Sequence, residues 1–591
     1  MKELVSKQLV RYLEGRGIEH IFGLCGHTNI AVLTALTGSS IKFVNTRHEQ
    51  VAAHMADGYA RASRKTSVLL SHLGPGLTNA STGVANAALD SIPMVVIAGD
   101  VPSHYYGKHP HQEVNLHSDA AQSEIYKPFV KRVWRVERPD LFPEIIEKAF
   151  HLAETGRPGP VLVSVPMDIF SMEIETELFE RLSLHSRTTY KPSLDELVAE
   201  RIVKTLATAK APVIQAGGGV ILADAAEELR LFAEHLSLPV AHSLMGKGVV
   251  PDDHPLVLGM TGFWGTQFVN DKTRNADWVI GLGTRFAEAD CSSWEKEYTF
   301  SFGPSKLIHI DIDPAEIGRN YPVEIGVVTD LKEALVVLNR VARRLYPKGI
   351  DNIELKAEIV DYRREFIASN AGFVASDKFP MQPERILADV REALPRDAII
   401  TTDVGWNKNG VGQQFPVYTP GSILTPGGFA TMGFGAPAAI GAKMACPDKV
   451  VVALVGDGGF GQNPAMLATA LEEDVAVIWI VMNNAAYGTI AGLQMAHYGT
   501  TLGCVFKKNG EPYTTDFAAI ARAYGIDGVK IDSAAGFKPA LQAAIASGRP
   551  TVIDVAMLNN PVPTAGHWNI NDIYSPGKRV SHVAIEMAAN P

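Results

Sequence analysis

The sequence predicts an α/β protein built of three doubly wound domains with mainly parallel sheets. Short apolar runs at 94–98, 161–165, 278–283, 307–312 and 475–482 read as strands buried on both faces, and they alternate with stretches of helical spacing. A chain of 591 residues, 46% hydrophobic and 20% charged, has the composition to bury several separate cores. Polar breaks near 183–193 and 346–354 divide it into units of 1–185, 190–345 and 355–560, followed by a tail, 561–591, with little periodicity.

The bulk composition excludes several classes. The formal net charge is −10 and no basic run occurs, which argues against nucleic acid and anionic membrane as partners. The longest apolar runs fall far short of the roughly 20 residues that a membrane-spanning helix needs. Residues 1–17 have amphipathic helical spacing with charges throughout and no signal-peptide core. Cys25, Cys291, Cys446 and Cys504 are scattered without a CxxC pair, so neither a disulfide framework nor a thiolate metal site is expected. A cytoplasmic enzyme is the expectation.

In the first unit, Gly26-His27-Thr28-Asn29 follows the apolar residues 21–24, and His27 reads either as a polar residue opening a helix or as a site residue. Glu49 stands where residues 45–50 pass into a helical pattern, so a helix N-terminus by itself could account for the carboxylate. In residues 71–79, Gly74-Pro75-Gly76 reads as a turn. His104, His109, His111 and His117 crowd one loop, but their spacing fits no helix face and no zinc pattern.

The second unit opens with a strand at 211–216 that enters Gly217-Gly218-Gly219. This is not GxGxxG, so a nicotinamide-dinucleotide fingerprint fails. In the third unit, 399–407 reads as a strand ending in a turn, Val404-Gly405-Trp406-Asn407, whose backbone N–H groups suit phosphate oxygens. Met432, in an apolar glycine-rich stretch, reads on its own as core filler.

The most informative stretch is 450–489. An apolar strand at 450–455, a break at Gly456-Asp457-Gly458, a helical pattern over 463–473 and a second strand at 475–482 form a βαβ unit. Its right-handed crossover brings Asp457 and Asn484 to the carboxyl ends of neighbouring strands, where open α/β sheets bind ligands. A carboxylate, an amide oxygen and a loop carbonyl form a hard oxygen set suited to Mg²⁺ that holds phosphates. Taken singly, GDG is also an ordinary turn and Asn483-Asn484 an ordinary strand end.

Together, GDG, a helix, a strand and NN resemble the cofactor motif of the thiamine diphosphate (ThDP)-dependent decarboxylases and carboligases, in the acetohydroxyacid (acetolactate) synthase-like branch. The resemblance covers nearly all of the chain and implies a pyruvate-decarboxylase/acetolactate-synthase-like architecture. The first unit would bind the pyrimidine and the third the diphosphate. It implies that Asp457, Asn484 and the Ala486 carbonyl bind Mg²⁺, with Gly456, Gly458, Gly459, Tyr487, Gly488, Val404, Gly405, Trp406 and Asn407 around the cofactor. Residues 427–435 look like the GTMGxGxP segment, in which Ala430 lies beside the cofactor and Met432 wedges between its two rings to bend it, a proximity effect. RHEQ at 47–50 followed by GYAR at 58–61 is similar to the segment whose glutamate exchanges a proton with the aminopyrimidine, so Glu49 takes that role, with burial expected to raise its pKa. Residues 71–79 resemble TSGPGxTN with His72 where a hydroxyl is usual, and Gln112 matches the active-site glutamine of the next loop.

The same resemblance implies a central FAD-binding-like domain. Gly217 and Gly218 would admit the pyrophosphate, Arg285 would pair with it, and Asp311 would read the ribose or adenine. A structural domain with an empty or ADP-filled cleft is the alternative. In the family each site takes its halves from different subunits, which implies a homodimer or homotetramer. The expected function is ThDP- and Mg²⁺-dependent cleavage or formation of carbon–carbon bonds in 2-oxo acids or α-diketones, with His27 and His72 beside Glu49 and Gln112 as catalytic residues. Alternatives are an acetolactate synthase catalytic subunit and a pyruvate-oxidase-like flavin oxidoreductase. The acceptor pocket departs from acetolactate synthases. Their FDDR is Phe286-Ala287-Glu288-Ala289 here, without the arginine, and their pocket methionine and tryptophan fall on Thr489 and Leu493. This looks closer to cyclohexane-1,2-dione hydrolase or to general 2-oxo acid carboligases.

Overall fold

The computed structural model describes residues 1–183 and 190–559. The expected tail, 561–591, lies outside them. Among the described residues, three six-stranded sheets dominate, and every strand pair within them is parallel.

The first sheet holds β1 (His20–Gly23), β2 (Lys42–Asn45), β3 (Ser67–His72), β4 (Met94–Asp100), β5 (Val133–Arg135) and β6 (Val161–Pro166), in the order β2-β1-β3-β4-β6-β5. The second holds β7 (Pro212–Ala216), β8 (Val240–His242), β9 (Val257–Met260), β10 (Trp278–Leu282), β11 (Lys306–Asp311) and β12 (Ile325–Val328), in the order β9-β8-β7-β10-β11-β12. That is the doubly wound order of dinucleotide-binding folds. The third holds β13 (Ile399–Thr402), β14 (Ile423–Leu424), β15 (Val451–Gly456), β16 (Val477–Asn483), β17 (Asp527–Lys530) and β18 (Thr551–Ala556), in the order β14-β13-β15-β16-β18-β17. Counted from its own first strand, the third sheet repeats the order of the first. Two similar halves therefore flank a different middle, although no repeat shows in the sequence.

The halves meet through one helix pair. The helix after β2, α1 (Glu49–Ser63), and the helix two segments after β13, here α5 (Gly435–Ala445), carry small residues on their facing sides. A Cβ on Gly58 would overlap the Ala438 carbonyl, and one on Gly441 would overlap the Met55 carbonyl. Glycine at these two places lets backbone meet backbone. Ala52, Ala53, Met55 and Ala56 share one buried core with Ala436, Ala439 and Ile440. The pairing runs antiparallel, because Arg61, late in α1, lies over the ring of Phe434, just before α5, at 5.0 Å.

Three local readings differ from the structure. No open turn follows β3: the chain passes directly into α2 (Leu73–Leu89), and Gly74-Pro75-Gly76 forms its first turn. Proline is tolerated there because a first-turn N–H has no intrahelical partner. Asp457 starts a short helix, Asp457–Phe460, and the following helix spans only Met466–Glu472. Residues after 352 form α3 (Ile353–Val374), whose Tyr362 stacks on Phe268 at 3.9 Å and whose Arg363 donates to the carbonyls of His254 and Val257, so this helix lies on the central unit. No helix among the described residues is long and apolar enough to cross a membrane.

Candidate active site

β15 and β16 are neighbours in register, Gly456 opposite Met482, so Asp457, one residue past Gly456, and Asn484, two past Met482, leave the sheet side by side. One end of the Asn484 side-chain amide lies 3.2 Å from Asp457 Oδ1 and 2.9 Å from the Ala486 carbonyl oxygen. The other end lies 3.1 Å from Asn559 Oδ1. With the amide nitrogen inward it donates to both oxygens; with the oxygen inward, the orientation a bound cation selects, three oxygens converge, and Asp457 Oδ2 is buried without a partner. Burial pushes the Asp457 carboxyl up to about 7, against the N–H groups of Gly458, Ala486 and Ala485. An oxygen cluster of this kind is relieved by a hard cation, so the residues fit Mg²⁺. Among the described residues no group of three His, Cys, Asp or Glu forms a metal site, the histidines of the 104–117 loop included.

The expected phosphate turn lies beside this set. Gly405, at φ 112°, precedes helix α4 (Trp406–Gln414), and a Cβ on it would stand 3.8 Å from Thr489 Oγ1. The N–H groups at the start of α4 and of the helix Gly488–Tyr498 are those that intrahelical bonding leaves free for an anion. Asp403, which the sequence reading passed over, organises the turn: it accepts from Val404 N at 2.8 Å, Gly433 N at 3.1 Å and Gly435 N at 2.9 Å. Val404 therefore spends its N–H inside the protein. Asn407 donates to the Leu454 carbonyl at 2.8 Å, and Trp406 is buried in the core, so their side chains are structural here. Gly456 has open space where a Cβ would stand, and a Cβ on Gly459 would meet Asp403 Oδ1 at 2.7 Å. One on Gly458 would meet the Tyr487 ring and, at 3.4 Å, Met432 Cε. Gly488 is pressed against the Asn484 amide. Met432 thus reaches the GDG turn from a loop in which Ala430 has φ 52°.

The second constellation belongs to the first sheet. Glu49 opens α1, is 6% exposed, and accepts from Asn79 Nδ2 at 3.0 Å. A Cβ on Gly76 would meet Ser71 Oγ at 2.8 Å, Glu49 Oε1 at 3.3 Å and the His72 side chain at 3.4 Å, so these groups surround one small gap. His72 ends β3, with Nδ1 2.8 Å from Thr28 Oγ1 and Nε2 3.0 Å from Gln112 Oε1. With the Gln112 oxygen facing Nε2, the consistent tautomer donates from Nε2 and accepts the Thr28 hydroxyl at Nδ1. His27 lies edge-on to His72 at 4.7 Å between centroids, and His111 is 6.2 Å from His27. Burial, then His72 and His111, hold His27 below the usual imidazole range. The structure brings together Glu49, His72, Gln112 and His27, and adds Thr28, Asn79 and His111. His111 was in view in the sequence, but only the fold separates it from its loop neighbours.

These two constellations do not meet within the chain. Glu49 begins α1, and Arg61 lies about 18 Å further along its axis, at the end where Phe434 follows Met432.

The four residues expected to hold a dinucleotide, Gly217, Gly218, Arg285 and Asp311, line one cavity of about 970 Å³ at the carboxyl ends of β7, β10 and β11. Burial pushes the Asp311 carboxyl up to about 6. Glu316 Oε2, also at this cavity, is buried without a partner. Arg285 donates to the Leu89 carbonyl at 2.6 Å, so part of its guanidinium is already engaged. In the 286–289 segment, Phe286 is buried among Phe300, Phe302, His309 and Tyr321. Glu288 is exposed and accepts from Ser293 Oγ at 3.1 Å. Its carboxylate stays near the surface of the chain, so the departure of this segment from FDDR is the loss of the arginine's attraction for a carboxylate.

Three family models match the chain: the thiamine pyrophosphate enzyme N-terminal TPP binding domain over residues 4–121, the central domain over 199–338, and the C-terminal TPP binding domain over 403–555. A probable acetolactate synthase large subunit of Methanocaldococcus jannaschii is 37% identical over 561 residues, 93% of this chain and 91% of the relative. The acetolactate synthase large subunit of Corynebacterium glutamicum is 34% identical over 595 residues, 99% of this chain and 92% of the relative. That of Haemophilus influenzae is 34% identical over 554 residues, 92% of each.

Proposed function

Because the chain belongs to the thiamine pyrophosphate enzyme family, in its acetolactate synthase-like branch, it is a ThDP-dependent enzyme acting on carbon–carbon bonds, and we propose that it transfers an acyl unit from a 2-oxo acid or α-diketone to a neutral carbonyl acceptor at a site shared by two copies of the chain. The observation that carries the acceptor choice is the set beside Glu49: His27, His72, His111 and Gln112 offer imidazole and amide donors rather than a fixed cation. The test is a competition with pyruvate as donor. Aldehydes or neutral diketones should exceed a second pyruvate in relative kcat/KM, and dominant acetolactate would overturn the proposal.

When bound, ThDP supplies a nucleophilic thiazolium carbon and a ring that takes up the electron pair left by cleavage. In this proposal Asp457, Asn484 and the Ala486 carbonyl hold Mg²⁺, and the helix N-termini at Trp406 and Gly488 bind the diphosphate. Glu49, steadied by Asn79, exchanges the aminopyrimidine proton. His27, through its ring, and Gln112, through its amide, donate to the acceptor carbonyl, while His72 is held by Thr28 and Gln112.

Support for a shared site comes from the separation of Glu49 and Met432 at opposite ends of the α1–α5 pair. A second copy supplies the missing half, which makes a homodimer the smallest active unit and a homotetramer compatible with it. FAD is the proposed occupant of the central cavity. The cavity's size, its glycine turn and two buried carboxylates suited to ribose hydroxyls support it. Release of a flavin from denatured holoenzyme is the check. The four described cysteines are unpaired, which fits a cytoplasmic location.

Acetolactate synthesis is the second reading, favoured by the names of relatives similar over nearly their whole length. The competition assay decides between the two.

A further inference from the structure

We propose that Asp90 is a positioning residue for the loop that carries Met432, acting across the boundary between the first and third sheets. Asp90 follows α2, is 5% exposed, and accepts three hydrogen bonds. Oδ2 takes Gly427 N at 2.9 Å and Arg61 Nη2 at 2.9 Å, and Oδ1 takes Gly428 N at 2.6 Å. Arg61 is itself fixed: Nε donates to Asp57 Oδ1 at 2.6 Å and Nη1 to the Thr425 carbonyl at 3.0 Å. Asp57 Oδ2 accepts Asn86 Nδ2 at 2.8 Å. Asp57, Arg61, Asn86 and Asp90 come from the first sheet's helices and the residues after them, whereas Thr425, Gly427 and Gly428 belong to the third domain.

The far end of the same loop is held by Asp403, through Gly433 N and Gly435 N. Between the two carboxylates run only Phe429, Ala430, Thr431 and Met432, with Ala430 in the left-handed region. The loop is therefore anchored at both ends by buried charges that accept backbone N–H groups. One anchor is intrinsic to the cofactor domain and the other is lent by the first domain.

Burial raises the Asp57 carboxyl above its usual range, with Arg61 and Asn86 working against it. A network that carries such a desolvation cost is better explained by the geometry it enforces than by stability gained. The central unit touches the same point. Arg285 donates to the Leu89 carbonyl next to Asp90, and a Cβ on Gly428 would stand 2.9 Å from Arg285 Nη2. Because Met432 Cε reaches the GDG turn, a displacement of residues 427–428 propagates to the residue expected to bend the cofactor.

The inference rests on membership of the ThDP family but not on the acceptor, because both measurements below precede addition of any substrate. In the enzyme without added cofactor, Asp90→Asn should speed amide hydrogen exchange at Gly427 and Gly428, since an amide NH₂ turned toward two N–H donors cannot accept both. In the enzyme loaded with ThDP and Mg²⁺, cofactor retention should change little, because Asp457, Asn484 and Ala486 are untouched. Exchange of the thiazolium carbon proton should fall by about 10- to 100-fold, the scale of a small misplacement at a reacting centre. Where Asp90→Asn does not fold, Asp90→Glu, which keeps the charge and alters the reach, should shift both readouts in the same direction. Wild-type amide protection and wild-type proton exchange in a folded variant would overturn the proposal.

Discussion

Asn559 Oδ1 lies 3.1 Å from the Asn484 amide, placed to accept from Nδ2 when the Asn484 oxygen turns toward Asp457 and the Ala486 carbonyl. The orientation of a proposed Mg²⁺ ligand is thereby coupled to a residue 75 positions later in the chain. Removing such an outer partner typically costs about 10- to 100-fold in metal affinity. Asn559→Ala should raise the Mg²⁺ concentration needed for half-maximal ThDP binding by about that factor, while Asp457→Ala should abolish Mg²⁺-dependent retention. A titration followed by equilibrium dialysis of ThDP checks both, and an unchanged Mg²⁺ requirement in Asn559→Ala would remove its orienting role.

Separation of Glu49 from Met432 along the α1–α5 pair predicts complementation. Glu49→Gln should bind ThDP and lose about 10²- to 10⁴-fold in rate, and Asp457→Ala should be inactive for want of cofactor. Refolded together in equal amounts, the two variants should recover about a quarter of wild-type activity, because half of randomly formed dimers are mixed and each mixed dimer has one intact shared site. No recovery from a mixture shown to contain mixed dimers would place both halves of a site in one chain.

His54 lies on α1, fully buried, with neither ring nitrogen partnered among the described residues. Burial, reinforced by Arg61, pushes it down to about 3. Its folded pKa lies below the unfolded value of about 6.5, so its contribution is complete above about 6.5 and is lost progressively as the pH falls toward 3. At pH 5 the loss amounts to about 2 kcal/mol. His54→Gln should therefore narrow the difference in denaturation midpoint between pH 8 and pH 5. A variant as acid-sensitive as the wild type would show that this imidazole is protonated in the fold.

For the acceptor, the ring of His72 is tied to Gln112 and Thr28, so the three act as a unit. His72→Ala and Gln112→Ala should each weaken the preference for neutral acceptors by about fivefold, the worth of one hydrogen bond of about 1 kcal/mol. Relative kcat/KM values for an aldehyde and for pyruvate as acceptors, measured with one donor, check this. If only His72→Ala shifts the ratio, Gln112 serves solely to hold the loop.

Much of this was legible in the sequence because strand ends and motifs are local. The apolar runs at 450–455 and 475–482 foretold β15 and β16 to within a residue or two, and the crossover rule then brought Asp457 beside Asn484. What escaped were partners chosen by tertiary contact. Asp403 accepts backbone N–H groups, Asn559 acts from the far end of the domain, and Asp90 acts from another domain. None of these roles leaves a periodic trace. The Trp406 and Asn407 side chains turn inward, Trp406 into the core and Asn407 onto the Leu454 carbonyl, and side-chain direction after a turn is not written in spacing.

The glycine-bridged contact of α1 with α5 joins segments that leave the ribosome far apart in time. At about 5 to 20 residues per second, α1 waits roughly 20 to 75 seconds for residues 435–445 to be made. Until then the backbone of α1 at Met55 and Gly58, which meets Gly441 and Ala438 in the finished fold, has no α5 to pack against. The interval ends only when most of the chain has been synthesised, so the nascent first domain presents this helix contact unmade for most of synthesis.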